Sequence, residues 1–216
     1  AFGTMVNFLN DTHDAAAVGP AILNGDSTPQ RTGTKFPRNW NIFVEALFLD
    51  RLFPKSKLFG SHKELYIDSG VPRETDYVQG SCLMVRTSVL QNIGYFDERF
   101  FMYFEETDLC FRIKKAGWKI WFLPAASVIH FGGGETAHYD KWRLVHYHNS
   151  LFQFYEKHYS HGARTILRGI IVVRSVLRIA AWGMIYVFRS SYRQAARSAI
   201  KGYVKTFQLV YREKIQ

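Results

Sequence analysis

Three carboxylates stand close together at the start of a predicted helix, directly after a run of aromatic residues. In the segment YFDERFFMYFEETDLCFR, which spans residues 95–112, they are Glu105, Glu106 and Asp108. A helix N-terminus favours anionic side chains, so we expect it to hold these carboxylates ionised. An ionised carboxylate fixed beside an apolar wall can act as a general base on a hydroxyl group. The segment therefore indicates proton transfer, with ordinary helix capping as the alternative explanation.

The spacing along this helix separates the carboxylates into two groups. Glu105, Asp108 and Arg112 are three or four residues apart, so they share one helix face, whereas Glu106 points elsewhere. We expect either Glu105 or Asp108 to pair with Arg112. Glu106 would then remain available to face a substrate.

Two further segments combine polar residues with glycine. In SVIHFGGGET, His130 ends an apolar strand and precedes three glycines, which allow a ligand to approach the backbone closely. The alternative is a buried histidine with a structural hydrogen bond. The glycine run lacks the lysine of a P-loop and the spacing of a dinucleotide fingerprint. In VQGSCLMVR, Gly80 lies near the start of an apolar strand, where glycine permits contact with a substrate ring or simply tight packing.

Hydrophobic patterning predicts a mixed α/β fold over residues 1 to about 160. Helices are predicted over 5–13, 41–53, 87–93, 107–116 and 141–159, and strands over 15–23, 77–85, 118–122 and 127–130. Gly94 and Gly117 follow two of these helices as C-terminal signals, and Pro124 predicts a turn between the last two strands. Polar stretches at 24–37 and 54–75 indicate loops.

Composition limits the possible partners. The 216 residues are 47% hydrophobic, which is enough for one domain with an appendage and argues against wholesale disorder. The net charge of +10 suits phosphates, nucleic acid or anionic lipid. Cys82 and Cys110 lack CxxC spacing, which argues against structural zinc and favours a reduced, cytoplasmic setting. Because the chain begins at Ala1 and reads from there like the middle of a domain, we expect an N-terminal portion to be missing.

The character of the chain changes after residue 160. Arg174 and Arg178 interrupt the long apolar run 170–188, which counts against a simple membrane span. On a helical wheel the basic residues occupy one arc of roughly 120°, opposite an apolar face. The basic residues are Arg164, Arg168, Arg174, Arg178, Arg189 and Arg193, and the apolar ones are Ile166, Ile170, Val173, Val176, Leu177, Ala181 and Ile185. This pattern is typical of a helix lying in the plane of a membrane. The alternative is a helix packed on the core with a solvated basic face.

The order of the motifs resembles glycosyltransferase family 2. Four motifs follow one another as in the C-terminal half of that family. They are GSCLMVR at residues 80–86, then IGYFDERFFMYFEETDLCFR, then AGWKIWFLP, then VIH with a glycine-rich turn. The resemblance covers roughly residues 1–160 and is greatest for the bacterial rhamnosyltransferase-like group. It implies an α/β chain: the acceptor-side half of a GT-A domain, followed by a basic amphipathic helical tail over 161–216.

The resemblance also implies a reaction and roles for individual residues. An inverting enzyme would move a sugar, rhamnose being one candidate, from a nucleotide-sugar donor to a polysaccharide or polyprenyl-diphosphate-linked acceptor. Glu106 occupies the position of the family's base, which is usually Asp, so its carboxylate is one methylene farther from the backbone. The other implied residues are Glu105 and Asp108 for catalysis, Gly80, Ser81 and Arg112 for substrate, and His130 for Mg²⁺ or Mn²⁺.

One family motif is absent from the sequence. No Asp-x-Asp occurs in it, so we expect these residues alone not to transfer sugar. The basic tail would keep the protein on an anionic membrane surface, peripherally at its cytoplasmic face. Two other function classes remain: a non-catalytic membrane-associated or partner-binding module, and a nucleic-acid-binding protein. The absence of a known nucleic-acid module disfavours the last.

Overall fold

A computed structural model of the protein describes residues 1–30, 32–53, 56, 58–59, 70–131 and 140–211. The chain divides into two compact units. Unit 1 comprises Ala1–Phe36 and Lys55–Gly132, and unit 2 comprises Pro37–Pro54 and Gly133–Gln216. The predicted functional division near residue 160, between a catalytic part and a membrane-associating tail, stays a prediction.

Unit 1 is a mixed α/β layer structure, as the sequence predicts. Its helices are α1 (Phe2–Asp11), α4 (Thr87–Ile93) and α5 (Glu105–Lys115), and its strands are β1 (Ala15–Leu23), β2 (Gly33–Thr34), β3 (Arg73–Thr75), β4 (Tyr77–Val78), β5 (Met84–Val85) and β6 (Lys119–Ile129). The four-stranded sheet has the order β3-β6-β1-β5, and β2 pairs with β4 in a separate ribbon. Strands β1 and β6 run parallel, while β3 and β5 are antiparallel to their neighbours.

Strand β1 lies in the interior of the sheet, with helices on both sides. Its sequence AAAVGPAIL is an unbroken run of small and apolar residues, and every residue before Leu23 is buried. A strand covered on both faces needs such a continuous run instead of an alternating one. Met5 and Leu9 of α1 pack on one face, and Leu109 and Ile113 of α5 pack on the other.

Two predicted strand boundaries are wrong. The predicted strand 77–85 is two short strands in different sheets, because residues 79–82 form a turn in which the Cys82 N–H bonds the Gln79 carbonyl at 3.3 Å. The predicted turn at Pro124 is a bulge within the single strand β6. The register against β1 jumps from Pro20↔Leu123 to Ala21↔Ser127, so the extra residues of β6 bulge out of the pairing.

Unit 2 is helical. It contains α2 (Asn39–Ala46), α3 (Leu49–Leu52), α6 (Asp140–His158), α7 (His161–Phe188) and α8 (Arg193–Val210). The single helix predicted over 41–53 is interrupted at Phe48, whose left-handed φ of 59° begins the short α3. Ser160 caps α7 by accepting a hydrogen bond from the Ala163 N–H at 3.3 Å.

Gly19 lies where a side chain has no room. A Cβ built on Gly19 would approach the Cβ of Val78 to 2.7 Å, and both residues lie in the interior of unit 1. We expect Gly19→Ala to lower the free energy of unfolding by about 1–3 kcal/mol, the usual cost of overpacking a core. Chemical denaturation followed by circular dichroism measures this change.

Gly3→Ala serves as the matched control. Gly3 is an exposed residue of α1, and a Cβ there would have no neighbour within 4 Å. Alanine should leave the protein unchanged or stabilise it by about 0.5–1 kcal/mol, because glycine costs conformational entropy in a helix. Equal stability of the two variants would contradict the tight packing of Gly19 on Val78.

Candidate active site

The carboxylates Glu105 and Glu106 lie in the first turn of α5, and the backbone before them is strained. Tyr103 and Phe104 both have left-handed φ angles, 65° and 69°, although neither is glycine. Such residues cost of order 1–3 kcal/mol each and are often found at functional sites. This chain reversal carries the aromatic segment directly into the helix and sets the position from which both glutamates project.

Burial dominates the electrostatics of Glu106. Burial, together with the smaller effect of the Glu105 charge, raises the pKa of this carboxyl to about 7, and the backbone N–H groups of Glu106 and Thr107 only partly oppose the shift. The expectation that the helix N-terminus holds Glu106 firmly ionised is therefore wrong, because desolvation outweighs the helix dipole here. A carboxyl group with a pKa near neutrality suits a general base, which must release the proton that it takes up.

Glu106 faces the turn that leaves β4. A Cβ built on Gly80 would lie 3.3 Å from the Cβ of Glu106, so the absence of a side chain at Gly80 leaves room for this carboxylate. Ser81 is exposed in the same turn. The structure thus brings Gly80 and Glu106 together, as expected if both belong to one site.

Three buried acceptor atoms, one in this turn and two in the first turn of α5, have no hydrogen-bond partner among the described residues. They are Oε1 of Gln79 and Oε2 of both Glu105 and Glu106. Buried acceptors without donors are costly, and a ligand that supplies hydroxyl groups would remove that cost. Gln79 was missed by sequence reasoning. Its only signal is its position directly before Gly80.

Asp108 and Arg112 form a structural clamp. Asp108 is fully buried and accepts a hydrogen bond from the Arg112 Nε at 2.9 Å. Arg112 also donates from Nη1 to the carbonyls of Ile93 and Gly94, at 2.9 and 3.0 Å, and from Nη2 to that of Tyr95, at 2.6 Å. Of the two carboxylates that the sequence offers as partners of Arg112, Glu105 and Asp108, the structure pairs Asp108 with it. The pair ties the end of α4 to α5, and the predicted direct roles of both residues toward substrate stay predictions.

His130 lies at the carboxyl end of β6, beside the end of β1. Its backbone N–H donates to the Leu23 carbonyl at 2.8 Å, and its ring Nδ1 lies 3.1 Å from the Gln30 Oε1. The Gln30 Nε2 already donates to the Asn24 Oδ1 and to the His130 carbonyl, both at 2.7 Å. The remaining Gln30 oxygen can only accept, so Nδ1–H is the donor of this bond, and in the neutral imidazole the lone pair then belongs to Nε2. Sequence reasoning also missed Gln30, a loop residue without a motif.

A short series of hydrogen bonds connects the turn at Gly80, which Glu106 faces, with His130. The Gln79 N–H bonds the Thr32 carbonyl at 3.1 Å, and the Thr32 hydroxyl bonds the Gln30 carbonyl at 3.0 Å. Gln30 in turn holds His130. Gln30 and Thr32 therefore lie between the turn at Gly80 and the imidazole.

The described residues include one predicted metal ligand, His130. Among them, no group of three or more His, Cys, Asp or Glu side chains could bind a metal ion. One imidazole with a free Nε2 can supply a single ligand but not a site. The predicted role of His130 as a metal ligand stays a prediction, and the predicted glycine run at 132–134 lies outside the described residues.

Removing the charge of Glu106 should stabilise the protein at alkaline pH. The folded-state pKa of about 7 exceeds the ordinary value of 4.5, so the unfolded chain ionises first and folding stability falls as pH rises between the two values. We expect Glu106→Gln to raise the free energy of unfolding at pH 8 by on the order of 2 kcal/mol. Below pH 4.5 the gain should vanish, and urea unfolding at the two pH values tests this.

Asp108→Asn supplies the contrast within the same helix. It removes the charged partner of Arg112 inside the protein, which should lower the free energy of unfolding at pH 8 by about 3–5 kcal/mol. If Glu106→Gln changes stability equally at both pH values, the raised pKa of Glu106 is wrong.

Comparison with known proteins places this site in a family context. Residues 70–149 match a family model described as "Glycosyltransferase like family 2". The N-acetylglucosaminyl-diphospho-decaprenol L-rhamnosyltransferase of Mycobacterium tuberculosis is 30% identical over 191 residues, which cover 87% of this chain and 59% of that protein. The chain therefore spans about three-fifths of the length of this relative.

Two shorter matches agree with this relationship. The rhamnosyltransferase WbbL of Escherichia coli is 36% identical over 78 residues, which cover 36% of this chain and 26% of that protein. The low-salt glycan biosynthesis hexosyltransferase Agl10 of Haloferax volcanii is 38% identical over 58 residues, covering 27% and 19%. The family model spans Gly80, Ser81, His130 and the whole of α5, so it includes the candidate site.

Proposed function

We propose that this chain, which belongs to the glycosyltransferase-like family 2, provides the acceptor side of an inverting glycosyl transfer with Glu106 as the general base. The observation that carries the proposal is the environment of the Glu106 carboxyl. It is largely buried, its pKa is raised to about 7, and its Oε2 has no hydrogen-bond partner among the described residues. A group in this state can accept a proton from an alcohol at physiological pH.

The proposed chemical step needs one proton acceptor and one leaving group. An acceptor hydroxyl oxygen forms a bond to the anomeric carbon as the bond from that carbon to the nucleoside diphosphate breaks. The hydroxyl proton passes to a carboxylate oxygen of Glu106, and the bonding electrons leave with the diphosphate. The side chains of Gln79 and Glu105 offer further acceptor atoms, which would bind neighbouring hydroxyls of the acceptor sugar and orient it.

The substrates follow from the relatives and belong to the same proposal. One relative is named for rhamnosyl transfer with an N-acetylglucosaminyl-diphospho-decaprenol, and another is named as a rhamnosyltransferase. We infer a nucleotide-sugar donor, with a nucleotide-linked rhamnose as the first candidate, and a glycan or polyprenyl-diphosphate-linked acceptor at the cytoplasmic face of the membrane. No step in this mechanism depends on the divalent cation that the family resemblance implies.

Glu106→Gln tests the base in the complete natural polypeptide that contains these residues. The amide keeps the shape of the side chain but cannot take up a proton, so kcat should fall by about 10²–10⁴-fold with little change in KM. Turnover is measured by release of nucleoside diphosphate from nucleotide-rhamnose and other nucleotide hexoses. A variant that retains wild-type kcat would rule out Glu106 as the base.

The pH profile offers a second test of the same residue. Only ionised Glu106 can act as a base, so kcat/KM should rise with pH and level off above about 7. Because the charge of Glu105 contributes to the raised pKa of Glu106, Glu105→Gln should shift this rise toward lower pH. A profile that stays in place in Glu105→Gln would show that another group controls it.

A further inference from the structure

Helix α7 directs its two mid-helix arginines, Arg174 and Arg178, toward the helical unit. The guanidinium of Arg178 lies 3.5 Å from the ring centre of Phe48, and its Nη2 bonds the Glu45 carbonyl at 3.3 Å. Arg174 is half-buried, and Ser175, between them on the same side, is fully buried. The basic side of the helix, which the sequence places toward solvent or lipid headgroups, therefore faces protein in the middle of α7.

The opposite side of α7 is apolar and exposed. We call it the apolar strip, and its side chains are 47–63% exposed; they are Ile166, Val173, Val176, Met184 and Val187. The alternative in which α7 buries its apolar face against the protein core is therefore wrong. From residue 166 to 187 the strip runs for roughly 32 Å at 1.5 Å per residue.

A groove opens where this strip meets α2. Its volume is about 490 Å³, and its lining is Asn39, Trp40, Phe43, Ala46, Ile166, Gly169, Ile170 and Val173. The amide nitrogen of Asn39 is occupied by the Ala163 carbonyl at 3.0 Å, so the lining is almost entirely carbon. A Cβ on Gly169 would have no neighbour within 4 Å, so a side chain at this position would project into open space at the groove.

We propose that the apolar strip lies on a bilayer and that the groove holds one hydrocarbon chain of a membrane lipid. An exposed apolar face of this length with rim residues such as Trp40 is typical of interaction with lipid. Residues 161–211 contain arginines and lysines but no Asp or Glu, which complements anionic headgroups. This site does not depend on glycosyl transfer.

Two mid-helix arginines argue against a bilayer-spanning position for α7, and the structure favours an in-plane position. Among the described residues, α7 alone has the length and composition for a membrane span, with a mean hydropathy of 1.8 over its most apolar 18 residues, of which 17% are buried. Arg174 and Arg178 nevertheless lie mid-helix, and Arg178 contacts the Phe48 ring and the Glu45 carbonyl on the protein-facing side. An exposed apolar side opposite a side that carries mid-helix arginines is the amphipathic pattern of a helix that lies along the interface.

Val173→Asp tests the apolar strip against a matched control. Val204→Asp makes the same change at a similarly exposed valine on α8, outside the strip, at 40% exposure compared with 47%. Flotation with vesicles of phosphatidylcholine and phosphatidylglycerol at 3:1 should show about tenfold weaker binding for Val173→Asp, since a carboxylate is costly in the acyl region. Val204→Asp should bind like the unaltered chain.

Three outcomes of this comparison would overturn the membrane assignment. They are unchanged flotation of Val173→Asp, equal losses in both variants, and a change from dimer to monomer in Val173→Asp without loss of vesicle binding. The last outcome would identify the strip as an interface between two copies of the chain. Circular dichroism confirms that each variant remains helical.

Gly169→Leu tests the groove itself. The leucine should fill the space that a lipid chain would occupy, without a clash in the protein. In vesicles that contain phosphatidylcholine with a diazirine on its acyl chain, photo-crosslinks to α2 and α7 should fall at least about fivefold, while flotation persists. Gly183→Leu adds the same residue at another open glycine of α7 and should leave the crosslinks in place.

Crosslinks that persist in Gly169→Leu would exclude a chain in the groove. Neither assay requires turnover, so a failed Glu106→Gln experiment would leave the lipid site untouched, and a failed lipid experiment would leave the base untouched.

Discussion

The buried ion pair between Asp108 and Arg112 is the contact on which the candidate active site depends. Arg112 is held by this pair, and its two Nη atoms donate to three successive backbone carbonyls at the end of α4. The aromatic segment that follows those carbonyls leads into α5, so both of its ends are fixed by one side chain. A buried pair of this kind is costly to break, because loss of one partner leaves an uncompensated charge.

The Asp108–Arg112 ion pair allows neighbouring residues to adopt an unfavourable backbone conformation or an unfavourable environment for ionisation. Tyr103 and Phe104 are held in left-handed conformations, and Glu106 is held in a place where its ionisation is opposed by burial. Local strain and desolvation persist only where the surrounding structure fixes the geometry. Stability is thus concentrated in Asp108 and Arg112, while the neighbouring Glu106 carries a raised pKa that is useful for proton transfer but unfavourable for folding.

The sequence predicts unit 1 well where a local pattern is decisive. The apolar run of β1, the glycine after α4 and the boundaries of α5 are confirmed within one or two residues. The strand predicted over 77–85 is wrong because apolar character alone cannot tell one strand from two short strands in different sheets. The break predicted at Pro124 is wrong because the parallel partner β1 continues and absorbs the proline as a bulge.

The candidate site shows the same limit at the level of chemistry. The order of the motifs identifies the family and predicts Glu106 and Gly80 as site residues, since aromatic residues followed by carboxylates form a distinctive pattern. The protonation behaviour of Glu106 depends on packing that no local pattern contains, and Gln30 and Gln79 carry no motif at all. Helix α7 offers the clearest case, because a wheel shows a basic side and an apolar side but not which of them meets the protein. The contact of Arg178 with the Phe48 ring shows that the basic side meets the protein, so the apolar side is the one that remains exposed.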